Sequence, residues 1–142
     1  MQQQGWRPHL SSVSAQSATL THVEKAYAEG LPTLTANEYL IAAGTFHGIH
    51  AIGAKLNPVP GVVSSGVEVI EAETFKMHCL QTPTGTKLIL IASPSHPAPA
   101  AVLARLYEAY ADYLKSPFQV PEMPIRSDAF DARCAGVVAA VR

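Results

Sequence analysis

Charge is scarce in this chain: only 15% of its 142 residues are Asp, Glu, Lys or Arg, where an ordinary domain carries about 25%. A surface so poor in charge is expected to be covered in part by something other than water. The charge that exists is balanced, with ten Lys and Arg against eleven Asp and Glu. That balance leaves no basic field for nucleic acid or for an anionic membrane. Cysteine is nearly absent. Cys79 and Cys134 are far apart, lack metal-ligand spacing, and read as reduced thiols of a cytoplasmic protein. Long apolar runs are missing too. A spanning helix needs about 18 consecutive apolar residues, and the nearest candidate, Tyr39 to Ala54, is shorter and interrupted by Thr45, His47 and His50. Met1 to Pro8 lacks the apolar region of a secretory leader. Any membrane contact is therefore expected to be indirect or lipid-mediated.

What remains is a 48% hydrophobic chain of single-domain size, long enough to bury a real core. Residues 1–35 are polar and rich in Ser, Thr and Ala, with scattered apolar points at Trp6, Leu10, Val13, Leu20 and Val23. Thr19 to Val23 fits a short strand, and His22 to Glu29 fits the opening of a helix equally well. No apolar first strand is recognisable there. Gly30 and Pro32 mark a break, and Thr35 or Asn37 can cap the next element.

Residues 37–56 read as a helix with two stripes, Phe46, Ile49, Gly53 and Leu56, and Ile41, Thr45, Gly48 and Ile52. Between Tyr39 and Ala54 there is no charged residue, although a helix lying on a sheet normally turns a charged face to water. The expectation is a helix packed on its own sheet inside and on another subunit outside. Val67 to Thr74, Phe75 to Cys79, and Leu88 to Ile91 read as strands, the last buried on both faces. Thr82-Pro83-Thr84-Gly85 reads as a tight hairpin turn. A second helix over 99–115 shows Leu103, Leu106, Tyr107, Tyr110 and Leu114 on one side. A third follows a Ser127 or Asp128 cap, with Phe130, Cys134, Val137, Val138 and Val141 inward.

Pro117 to Arg126 holds three prolines among Phe118, Val120, Met123 and Ile125. Proline fixes φ and lacks a donor, so this is neither helix nor central strand, and it is too apolar for a linker. It reads as an extended strap whose apolar side chains act as pegs. This strap, followed by Ser127-Asp128-Ala129-Phe130-Asp131, together with Thr74-Phe75-Lys76-Met77-His78-Cys79-Leu80 and its turn, resembles the synbindin family, small subunits of the TRAPP (transport protein particle) vesicle-tethering complex. The resemblance runs from about Asn37 to Asp131 through Thr45-Phe46-His47, Ser65-Gly66-Val67-Glu68 and Leu106-Tyr107-Glu108. It implies an α+β, longin-like (SNARE-like) domain, an antiparallel sheet sandwiched between helices in the order β-β-α-β-β-β-α-α. Residues 1–35 depart from the pattern as a divergent segment, an incomplete first hairpin by this reading, and 36–142 form the longin-like domain.

Chemistry is sparse. His47 and His50, at i and i+3, chelate a metal only if a third ligand converges, with His78 and Glu68 to Glu73 the obvious donors. Two partly buried imidazoles at a helix surface fit the same spacing. Cys79 and His78 are strand neighbours pointing to opposite faces, so they cannot act as nucleophile and base. Gly44, Gly48 and Gly53 lie within a helix and form no phosphate cradle. Tyr107, Tyr110 and Tyr113 recur every three residues, as core aromatics do more often than base-stacking platforms. No catalytic residue, cofactor or metal is expected, and no nucleic acid.

The resemblance implies a non-catalytic TRAPP subunit in ER-to-Golgi transport, peripheral at the endoplasmic reticulum and cis-Golgi. It would act with sibling longin-like subunits and, through the assembly, on a Rab-family GTPase. Phe46, His47, Ile49, His50 and Ile52 are the expected partner contacts. Phe118, Glu122, Met123, Pro124, Ile125 and Arg126 are assigned to the strap. The alternative is another longin-type trafficking protein, a SNARE regulatory domain or an adaptor small subunit.

Overall fold

The unbroken apolar run Leu88 to Leu90 decides the centre of the molecule. It lies in β5 (Lys87–Ala92), and Leu88, Ile89, Leu90 and Ala92 are all buried. A strand without a polar alternation needs cover on both faces. It has that cover in the computed structural model, which describes residues 9–13, 20–24, 35–119, 123 and 125–140. The elements are β1 (His9–Val13), β2 (Leu20–Glu24), α1 (Ala36–Lys55), β3 (Val69–Glu71), β4 (Lys76–Gln81), β5, α2 (Pro99–Leu114) and α3 (Asp128–Ala139). The five strands form one antiparallel sheet in the order β2-β1-β5-β4-β3. This is the expected α+β, longin-like element order.

Alternation along β5 divides the core. Ile89 faces α1, packing with Ala43 and Phe46 and with Met77, Cys79 and Ile70. Leu88 and Leu90 face the other way, against Val102, Leu103 and Leu106 of α2 and Phe130 and Cys134 of α3. Fully burying one such aliphatic or aromatic side chain is worth about 1.5–3 kcal/mol, so each face has its own stabilising cluster. Tyr107, Tyr110 and Tyr113 pack half-buried against the second cluster. Tyr113 lies 5.4 Å from the Phe130 ring, and the Tyr110 hydroxyl is 3.2 Å from Thr86 Oγ1.

Local rules place the ends. The Thr82 to Gly85 turn closes with Gly85 N–H donating to the Thr82 carbonyl at 2.9 Å, and Gly85 adopts φ +88°, a conformation glycine enters without Cβ strain. Pro99 opens α2 in its first turn, where its missing donor costs nothing. Ser127 caps α3 by accepting from Phe130 N–H at 3.3 Å.

Two expectations need correcting. A first strand exists, β1, although its sequence His-Leu-Ser-Ser-Val is too polar to announce one. Its backbone is paired on both sides, to β2 and to β5, so ladder bonds define it rather than an apolar run. The sheet thus draws on residues from both sides of position 36. The strand expected over 67–74 contracts to Val69–Glu71, because Gly66 turns the chain at φ +85° and Ala72 N–H bonds Phe75 O at 2.9 Å. Val141, expected inward on α3, and Trp6, Gly30 and Pro32 lie outside the described residues.

Candidate docking face

Helix α1 starts at a capping box. Thr35 Oγ1 accepts from Glu38 N–H at 3.3 Å, and Glu38 returns a carboxylate oxygen to Thr35 N–H at 2.6 Å, satisfying two otherwise orphaned donors. From that start the helical period sets two opposed stripes. Tyr39, Ala43, Phe46 and His50 are buried. Directly opposite, at spacings of four, three, four and four, stand Ile41, Thr45, Gly48, Ile52 and Leu56, all exposed. Ile52 is 60% and Leu56 72% accessible; the helix carries no charge between Tyr39 and Ala54, and Glu38 in its first turn and Lys55 in its last bracket the stripe. Ile49 flanks them, also exposed.

The expected contact set is therefore split. Ile49 and Ile52 are available to a partner. Phe46, at 2% exposure, fills the α1 side of the core, and His50 is buried beneath the helix, so both drop out of the contact surface. His47 is half-buried, with Nδ1 enclosed and without a hydrogen-bond partner among the described residues. The two histidines do not converge on a shared ligand position: both ring nitrogens of His50 are engaged by protein. Its Nδ1–H donates to Val67 O at 3.2 Å, and its Nε2, an acceptor in that tautomer, faces the Gln81 side-chain amide at 2.8 Å, which bonds it through its NH2 group.

A family model for the sybindin-like family matches residues 9–141 of this chain. The chain belongs to the sybindin-like family. The family match begins where β1 begins. Trafficking protein particle complex subunit 4 of Homo sapiens and its Bos taurus counterpart are each 48% identical over 103 residues, 72% of this chain and 46% of theirs. The Dictyostelium discoideum protein of the same name is 50% identical over 99 residues, 69% of this chain and 73% of its own. The chain thus spans just under half the length of the mammalian relatives it matches.

Elsewhere on this sybindin-like chain the strap differs from expectation. A turn over Ser116 to Gln119, closed by Gln119 N–H to Ser116 O at 3.3 Å, throws Phe118 outward to 91% exposure. Met123 is exposed as well. Among the described residues of the strap, Ile125 is the one that acts as a peg, packing against the α2–α3 cluster; Arg126 is exposed. Val120, Glu122 and Pro124 lie outside the described residues. Beside the strap, the end of α2 and the start of α3 enclose an open groove of about 390 Å³, lined by Tyr113, Phe118, Phe130, Arg126 and Arg133. Arg133 is tied to Asp112 at 2.6 Å, which also pairs with Lys115 at 2.9 Å.

Four further titratable groups lie on β3 and β4. Lys76 and Glu71, opposite each other on β4 and β3, pair at 2.9 Å, and that hydrogen bond lowers the Glu71 carboxyl. Burial, then the nearby Lys76 charge, holds the His78 imidazole below its usual range. Burial pushes the Cys79 thiol up to about 11, the opposite of a reactive cysteine. At pH 8 the native Cys79 should react with iodoacetamide about a hundredfold more slowly than in the denatured chain. Peptide mass spectrometry over a labelling time course checks this; equal rates would show an activated or exposed thiol. Among the described residues, no helix is long and apolar enough to cross a membrane.

Proposed function

We propose that this chain is a non-catalytic subunit of a TRAPP-type vesicle-tethering particle in ER-to-Golgi transport. It works in the cytoplasm, peripheral to endoplasmic reticulum and cis-Golgi membranes through the assembly, and contributes to nucleotide exchange on a Rab-family GTPase. The observation that carries this reading is the exposed, uncharged stripe of α1 through Ile41, Ile52 and Leu56 with Ile49 beside it. It sits on a helix whose other side is already satisfied by its own sheet. Its relatives are named as subunits of a particle, and a face of that kind supports permanent cover by a sibling longin-like subunit.

Exchange needs no acid, base or nucleophile on this chain. A GTPase held preferentially in its nucleotide-free shape releases nucleotide through differential affinity alone. A protonated Cys79 and a fully engaged His50 are in keeping with that role.

The test is co-expression with a sibling longin-like subunit followed by affinity purification and sizing. Ile52→Asp should weaken pairing at least thirtyfold, the loss of a central apolar contact worth about 2 kcal/mol or more. The variant chain itself should keep its circular dichroism spectrum and melting temperature. Undiminished pairing would remove α1 from the interface and the proposal with it.

A further inference from the structure

Beyond α1, the chain from Leu56 to Val67 contains no Asp, Glu, Lys or Arg, and it exposes Leu56, Val59, Val62 and Val63, the last at 96%. An unrestrained loop with four exposed aliphatic side chains would collapse onto the nearest apolar surface. This one is tied at both ends instead. Near its start, Asn57 Nδ2 donates to Val62 O at 2.7 Å, and Asn57 Oδ1 accepts from Val59 N–H at 3.1 Å. Near its end, His50 reaches from under α1 to the Val67 carbonyl on one ring nitrogen and to Gln81 of β4 on the other.

Two glycines let that second tie close. Gly66 sits at φ +85°, and a Cβ there would lie 2.6 Å from His50 Nε2 and Cε1. A Cβ on Gly53 would lie 2.5 Å from Val67 Cγ2. His50 is thus clamped between the loop's last turn, the helix and the sheet, and its ring also stacks obliquely on Phe46, 5.9 Å between centroids. A buried, doubly bonded imidazole is costly to arrange.

We propose that the α1–β3 loop is the second half of the docking face, and that His50 is the positioning residue that holds it in its binding shape. The occupant is an uncharged, apolar helix face of another subunit of the same assembly. On the outer face of α1 Ile52 leads to Leu56 and so into the loop, with Lys55 as the one charge beside the junction, and a largely neutral surface favours a neutral mate. Holding the loop backbone in place inside the free domain removes part of the loop-ordering cost that association otherwise bears. The inference rests on the sibling-docking reading above and names a residue that never touches the partner.

The experiment compares the wild-type chain with His50→Phe, which keeps a ring but removes both hydrogen bonds, and with Gln81→Leu, which removes one. Three readouts are taken: amide hydrogen exchange, melting temperature, and dissociation constant for the sibling subunit. Both variants should speed exchange at Val62 and Gly66 about tenfold, leave the α1 amides unchanged, and weaken pairing about tenfold even where the melting temperature holds. Wild-type exchange in the loop of a folded variant overturns the positioning role. A loosened loop with unchanged affinity overturns the loop's place in the interface. If His50→Phe fails to fold, Gln81→Leu decides by the same readouts. Failure of the docking reading itself shows separately, as undiminished pairing of Ile52→Asp.

Discussion

Phe46→Ala is expected to cost about 3–5 kcal/mol of folding stability, as removal of a buried aromatic ring usually does. Phe46 is among the largest fully buried side chains, and it joins α1 to Ile89 at the centre of the sheet. Small neighbours such as Ala43 offer little to refill the space, so most of the vacated volume should persist as cavity. Because whole domains are stable by only about 5–15 kcal/mol, urea unfolding should show a large drop in midpoint with little change in slope. Any loss of partner binding should track the loss of fold. A variant that folds normally but fails to pair would restore Phe46 to the contact surface, contrary to its burial.

Leu106→Ala should be comparably severe, about 2–5 kcal/mol, on the opposite side of the sheet. Leu106 is 1% exposed and packs with Leu88, Leu90, Phe130 and Cys134. The two residues belong to clusters that share no member. Their effects should therefore add to within about 0.5 kcal/mol, and the double variant should be largely unfolded at room temperature. The cycle is measured by urea titration of the milder pair Phe46→Leu and Leu106→Val, which leaves the double variant folded enough to titrate. A coupling above about 1 kcal/mol would mean that β5 transmits packing between its faces and that the layers are not independent.

Much of this arrangement was readable from residue order. Period alone identified α2 through Leu103, Leu106, Tyr107 and Tyr110, and the Leu88 to Ile91 run marked the middle strand. What escaped was decided by partners distant in the chain. β1 is a strand because β2 and β5 pair with it, and nothing in His-Leu-Ser-Ser-Val carries that information. On α1 the uncharged composition was plain, but two apolar stripes competed. Counting placed Phe46 beside Ile49, whereas burial groups it with Tyr39, Ala43 and His50. His50 is polar, and only its long-range bonds to Val67 and Gln81 explain why it belongs inside. The strap misled for a related reason. Phe118 is a large apolar residue, yet the turn after α2 aims it at solvent.

The bare outer stripe of α1 has a kinetic corollary. With no ionised group along it from Tyr39 to Ala54, nothing there steers a mate over long distance. Association across this face should run near the unsteered rate of about 10⁵–10⁶ M⁻¹s⁻¹ and hardly respond to ionic strength. A particle joined through such a seam would stay together in a high-salt wash that strips electrostatically held components away.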